Sequence, residues 1–132
     1  MESSANAPFS LQFSRLPASL PFMRAELRGW LEGTDASGDE VADIVLASWE
    51  ACANALEHPI APVAAEISID ASAVAGTVCI AVKDSGLWLE RPPRPERGLG
   101  LKLINGLMDK VEITRNGAGT VVLMSRSLAT RT

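Results

Sequence analysis

Residues 49–58 read WEACANALEH and form the last part of the longest helical pattern in the chain. The pattern begins after Ser37 or Asp39, either of which can cap a helix, and it ends near His58 and Pro59. Apolar side chains recur along it at the spacing of a buried helical stripe. The stripe consists of Val41, Ile44, Val45, Cys52 and Leu56. A helix with one apolar face predicts a second layer against which that face packs.

The segments on either side of this helix show strand and helix patterns. Residues 9–14 alternate apolar and polar side chains, and Ser19 can cap a helix that extends to about Glu32. The buried face of that helix is predicted to carry Leu20, Met23, Leu27, Trp30 and Leu31. Further strands are predicted at 65–71, 77–82, 111–114 and 120–124, and a helix from Gly98 to about Asp109.

The resulting order of elements is strand, helix, helix, strand, strand, loop, helix, strand, strand. It predicts an α+β fold, a two-layer sandwich in which helices pack on one face of a mixed or antiparallel sheet. A chain of 132 residues is the size of one compact domain. We expect that domain at residues 9–126, with flexible tails at 1–8 and 127–132.

The composition excludes several classes of protein. The chain is 47% hydrophobic and 21% charged with a net charge of −4, which argues against direct binding to nucleic acid phosphates. No apolar run approaches the ~20 residues that cross a bilayer, and no signal peptide pattern is present, so we expect a cytoplasmic protein with no membrane partner. Cys52 and Cys79 have apolar neighbours and are expected to be buried free thiols. A metal pair or a catalytic thiol is the alternative.

Three polar residues share a second face of the long helix. Glu50, Asn54 and His58 stand at positions i, i+4 and i+8. A carboxylate one turn before an amide can take a proton beside a metal ion that the amide holds. A solvated helix face has the same spacing, and His58 also suits a helix C-terminus. The spacing by itself leaves both interpretations open.

Two glycine-containing segments offer further contacts to a ligand. Asp84 and Gly86 follow a predicted strand, where the carboxylate can accept an exocyclic amine or can form an ordinary turn. Residues 97–101 read RGLGL and open a helix, whose free N–H groups favour a phosphate. A glycine-capped surface loop is the alternative. The segment matches neither the dinucleotide-binding fingerprint nor the Walker loop.

Taken in order, and followed by Gly119 and Thr120 on a late strand, these motifs resemble the GHKL (Bergerat-fold) superfamily of ATP-binding domains. Residues 49–58 and 96–104 are most similar to the bacterial anti-sigma-factor serine kinases of the RsbW type. The resemblance covers roughly residues 9–126, which is nearly the whole chain.

The resemblance implies a role for each matching residue. Asn54 would hold Mg²⁺ against the triphosphate of ATP, and Glu50 would act as the catalytic base toward the acceptor hydroxyl. Asp84 would accept the adenine amine. The other expected nucleotide contacts are Gly86 and Thr120 at the adenine, and Arg97, Gly98, Leu99, Gly100 and Leu101 at the phosphates.

The resemblance also implies a function and its partners. The chain would sequester a sigma factor and, with ATP and Mg²⁺, phosphorylate Ser or Thr on an anti-anti-sigma protein of the STAS type, acting as a homodimer. The alternative is a nucleotide-gated binding module of the same fold with little or no kinase activity. The sequence leaves open whether the chain is a fragment of a larger signalling protein.

Overall fold

The computed structural model describes residues 7–56, 66–84, 102–116 and 119–129. The elements are β1 (Phe9–Ser14), α1 (Ser19–Glu32), α2 (Gly38–Leu56), β2 (Glu66–Val74), β3 (Thr77–Asp84), β4 (Lys110–Asn116) and β5 (Gly119–Ser127). A short helical segment at 102–107 precedes β4. The predicted end of the long helix at His58 and the predicted start of a helix at Gly98 lie outside the described residues. None of the helices in the described ranges is long and apolar enough to span a membrane.

The five strands form one sheet in the order β1-β2-β3-β5-β4, and every neighbouring pair is antiparallel. Alternate residues of each strand point to opposite faces, and one face packs against α1 and α2. The largest buried side chains of this core are Met23, Leu27, Leu31, Ile44, Ile67, Ile69, Ile80, Ile104 and Met124. The predicted two-layer α+β fold is confirmed.

The start of α1 differs from its sequence prediction. Ser19 is the first helical residue, and the N-cap is Ala18, whose side chain cannot accept a capping hydrogen bond. Ala18 already has helical dihedrals (φ −65°, ψ −15°), and the Ser19 N–H donates to the Leu16 carbonyl at 2.9 Å. The prediction that Ser19 caps the helix is wrong because the Pro17–Ala18 turn brings the chain into the helix one residue earlier.

The start of α2 is fixed by a reciprocal pair of hydrogen bonds. The Glu40 N–H donates to Ser37 Oγ at 3.1 Å, and the Ser37 N–H donates to Glu40 Oε1 at 2.8 Å. This is a capping box, and it confirms Ser37 rather than Asp39 as the cap. The other oxygen of Glu40 accepts the Ala129 N–H at 2.7 Å, so one buried carboxylate also joins α2 to the chain after β5.

The two cysteines lie on different sides of the sheet. Cys52 of α2 is buried and Cys79 of β3 is exposed, so the prediction of burial is confirmed for the first and wrong for the second. The apolar neighbours of Cys79 along the chain, Val78 and Ile80, point to the opposite face of the strand and enter the core. Burial raises the pKa of the Cys52 thiol to about 12, so that thiol stays protonated near neutral pH.

The capping box yields a stability prediction. Ser37→Ala removes the acceptor of one helix-start N–H, and we expect the free energy of unfolding in urea to fall by ~1 kcal/mol. Ser10→Ala, at an exposed position on β1, is the control and should change little. Equal stability of the two variants would contradict the capping role.

Candidate functional site

The candidate site lies at one end of the sheet, where β3 ends. Asp84 is the last residue of β3 and pairs directly with Thr120 of β5. Residues paired across antiparallel strands project to the same face. Both side chains project to the side that the helices cover, and Asp84 is 4% and Thr120 5% exposed. The structure therefore brings together two polar residues for which the family resemblance implies contacts with adenine.

The Asp84 carboxylate has a cationic partner that the sequence analysis missed. Arg15 Nη1 donates to Oδ1 at 2.7 Å and to Oδ2 at 2.8 Å. The Arg15 side chain is 11% exposed and that of Asp84 is 3% exposed. A carboxylate this deeply buried requires a compensating charge, and the guanidinium supplies it.

The chain separation explains why sequence patterns do not reveal this ion pair. Arg15 follows β1 and lies 69 positions from Asp84 along the chain. The pairing of β1 with β2 and of β2 with β3 brings the two residues to one end of the sheet. No local motif identifies Arg15 as a site residue. An arginine between a strand and a turn is usually a surface residue, so the sequence gives no reason to expect that this one is buried.

The Thr120 hydroxyl has hydrogen-bonding capacity that no described residue satisfies. Its Oγ1 atom is buried and has no hydrogen-bond partner within the described part of the chain. A buried hydroxyl that lacks a partner costs about 1–3 kcal/mol. A ligand or a water molecule that bonds to this atom would recover that cost, so Thr120 fits the role expected from the resemblance.

Glu50 and Asn54 form a second group on α2. Both side chains are half-buried and stand one helical turn apart on the same face. Their neighbours Trp49 and Ala53 pack against the core, so this face borders the hydrophobic interior. Carboxylate and amide oxygens are ligands that Mg²⁺ binds in proteins, so the residue types of Glu50 and Asn54 fit the expected metal. The described contacts connect Arg15, Asp84 and Thr120, and they do not extend to this group.

The remaining expected contacts lie outside the described residues. These are Gly86, Arg97, Gly98, Leu99, Gly100 and Leu101. The helical segment at 102–107 that follows them is anchored, because Ile104 is fully buried and its carbonyl accepts the Met108 N–H at 3.0 Å. The phosphate cradle at the glycines stays a prediction.

Comparisons with known proteins agree with the fold. The sequence profile of the histidine kinase-like ATPase domain matches residues 13–126. The serine-protein kinase RsbW of Bacillus cereus (strain AH187) is 29% identical, over 85% of this chain and 81% of that protein. RsbW of Bacillus thuringiensis (strain Al Hakam) is 28% identical with the same coverage.

A solved structure shows the same fold. It contains the RsbU and RsbW domains of a Mycobacterium tuberculosis protein and matches with a TM-score of 0.76 and 24% identity. The match covers 96% of this chain and 34% of that chain, so the present chain spans about a third of that protein's length. The resemblance to RsbW-type proteins is confirmed by these comparisons together.

The Thr120 hydroxyl, which has no hydrogen-bond partner among the described residues, gives a stability prediction of unusual sign. Thr120→Val keeps the side-chain shape and removes the hydroxyl, so in the ligand-free protein we expect the free energy of unfolding to rise by ~1 kcal/mol. Thr34→Val is the matched control. Its hydroxyl bonds to the Leu31 carbonyl and the Ala36 N–H, so its loss should destabilise the protein. Equal destabilisation by the two substitutions in urea denaturation would show that Thr120 already has a partner.

Proposed function

Because the chain belongs to the histidine kinase-like ATPase domain family, we propose that it binds ATP and transfers the terminal phosphate to a hydroxyl of a protein partner. The observation that carries this proposal is the buried pair of Asp84 and Thr120 at the end of β3. The similarity to proteins named serine-protein kinase RsbW supports serine or threonine as the acceptor.

The adenine is recognised by one acceptor and one hydroxyl. The Asp84 carboxylate accepts a hydrogen bond from the exocyclic amine. Thr120 Oγ1, which has no partner in the described part of the chain, donates to a ring nitrogen or to a water molecule beside it. Gly86, without a side chain, lets the base approach. Guanine presents a carbonyl where adenine has its amine, so a carboxylate acceptor favours adenine.

The phosphates are held by other parts of the chain. The N–H groups of Leu99 and Leu101, beside Gly98 and Gly100, cradle them together with Arg97. The reason is the affinity of a helix N-terminus for anions, since the sequence predicts that a helix begins at Gly98. Asn54 would hold Mg²⁺, and the bound ion would neutralise charge on the phosphates.

Glu50 acts as the general base in the transfer. The acceptor hydroxyl oxygen forms a bond to the terminal phosphorus while the bond to the bridging oxygen of ADP breaks. The hydroxyl proton passes to the Glu50 carboxylate, and ADP leaves. The position of Glu50 on α2 supports this role, because it stands one helical turn before Asn54, which would hold the metal beside the phosphates.

The proposed partners rest on the resemblance to the RsbW-type anti-sigma-factor kinases. We infer that the chain sequesters a sigma factor, that its substrate is an anti-anti-sigma protein of the STAS type, and that it acts as a homodimer. A nucleotide-gated binding module without transferase activity is the second candidate. The presence of Glu50 at the position of the base favours the kinase.

Base selectivity tests the nucleotide site. Calorimetry should show that the protein binds ATP five- to a hundredfold more tightly than GTP, since a buried group left unpaired costs ~1–3 kcal/mol. Asp84→Asn should reduce this preference, because an amide both donates and accepts. The matched control is Asp43→Asn, whose carboxylate pairs with Arg126 at 3.0 Å at the other end of the sheet. Equal affinity of the wild type for ATP and GTP would refute the adenine assignment.

Phosphate transfer tests the kinase directly. Glu50→Gln keeps the size and hydrogen bonding of the side chain but removes its basicity, so single-turnover transfer from ATP to anti-anti-sigma proteins should fall by about 10²–10⁴. ATP affinity and capture of the sigma factor should be preserved. Glu26→Gln, at an exposed position of α1, is the control.

The possible outcomes separate the two candidates. If Glu50→Gln transfers phosphate as fast as the wild type, Glu50 is not the base. If no variant transfers phosphate to any anti-anti-sigma protein while all bind ATP, the chain is a binding module.

A further inference from the structure

The ion pair between Arg15 and Asp84 has a geometry that bears on base recognition. A single nitrogen of Arg15 lies between both carboxylate oxygens, at 2.7 and 2.8 Å, so it contacts the carboxylate end-on. Both side chains are almost fully buried. The proposed chemistry uses Asp84 but gives Arg15 no role, although Arg15 contacts the atoms that are to accept the adenine amine.

Arg15 and a bound base can share the carboxylate. A carboxylate offers about four acceptor positions on its two oxygens, so a contact with one nitrogen of Arg15 does not by itself prevent an amine from binding to the same carboxylate. Displacement of Arg15 by the base is disfavoured, because the neutral amine cannot replace the cation and the buried charge would lose its compensation. The amine therefore joins the ion pair and does not break it.

We propose that Arg15 is a positioning residue for adenine recognition, which holds the Asp84 carboxylate in the one orientation in which it meets the exocyclic amine. This inference rests on the proposed function, since it requires that an adenine nucleotide binds at Asp84. The guanidinium acts through Asp84 and does not contact the base. An arginine suits this task because its planar group makes fixed, directional hydrogen bonds.

A second ion pair in the protein provides a matched control. Arg126 Nη1 contacts Asp43 Oδ2 at 3.0 Å and donates to the Leu107 carbonyl at 2.7 Å, which joins β5 to α2 and to the segment at 102–107. Arg126 pairs with Val78, whereas Thr120 pairs with Asp84. The two ion pairs are thus roughly 20 Å apart along the strands. Substituting Arg126 removes a structural ion pair without touching the candidate site.

The test compares two ligands that differ only in the amine. Binding of ATP and of purine riboside triphosphate, which lacks the exocyclic amine, is measured by calorimetry for the wild type, Arg15→Gln, Arg15→Lys and Arg126→Gln. The wild type should prefer ATP by roughly five- to a hundredfold. In Arg15→Gln the ratio of the two affinities should approach one, because ATP should bind more weakly while the affinity for purine riboside triphosphate stays the same. Arg15→Lys should fall in between, and Arg126→Gln should keep the wild-type preference.

Any other result of this binding experiment contradicts the proposed role of Arg15 or the proposed function. Equal weakening of both ligands in Arg15→Gln would mean that Arg15 only stabilises the fold. Tighter binding of ATP would mean that Arg15 competes with the base. If Arg15→Gln does not fold, as judged by circular dichroism, Arg15→Lys decides, and an unchanged preference there refutes the inference. A wild type that binds neither nucleotide refutes the proposed function itself, and the inference with it. A wild type that binds both equally shows that the amine is not recognised, and this also refutes the inference.

Discussion

Packing of α1 and α2 against one face of an antiparallel sheet determines the environment of every strand residue. Side chains alternate between the two faces, so a shift of one residue would exchange the core and the open surface. On β3 this alternation sends Ile80, Val82 and Asp84 inward and leaves Cys79 and Lys83 exposed. The position of Asp84 in the interior follows from the same constraint that builds the hydrophobic core.

A carboxylate in the core must be compensated, and this requirement shapes the end of the sheet. Arg15 compensates Asp84 with short hydrogen bonds in a buried setting. On the open face, Lys83 and Asp70 are 3.9 Å apart with half-exposed side chains, and such a pair contributes little to stability. The two arrangements differ because solvent screens the second and not the first. The buried pair is therefore the one that can orient a ligand.

The proposed roles are distributed over elements that can be altered separately. Base recognition belongs to the ends of β3 and β5, with Arg15 contributed by the chain after β1. The proton acceptor and the metal ligand belong to α2, whose start is fixed by Ser37 and Glu40. This separation is why base selectivity and phosphate transfer are expected to respond to different substitutions.

The sequence by itself determined the features that depend on neighbours along the chain. Helical periodicity predicted the end of α1 at Glu32, and local capping chemistry offered Ser37 as the cap of α2. The spaced motifs marked Asp84 and Thr120 as candidates for the site. Tertiary structure alone decided the exposure of Cys79, the place of β5 between β3 and β4, and the contact of Arg15 with Asp84. Those features depend on strand pairing between distant segments, and the free energy of that pairing comes from the assembled core and not from any local pattern.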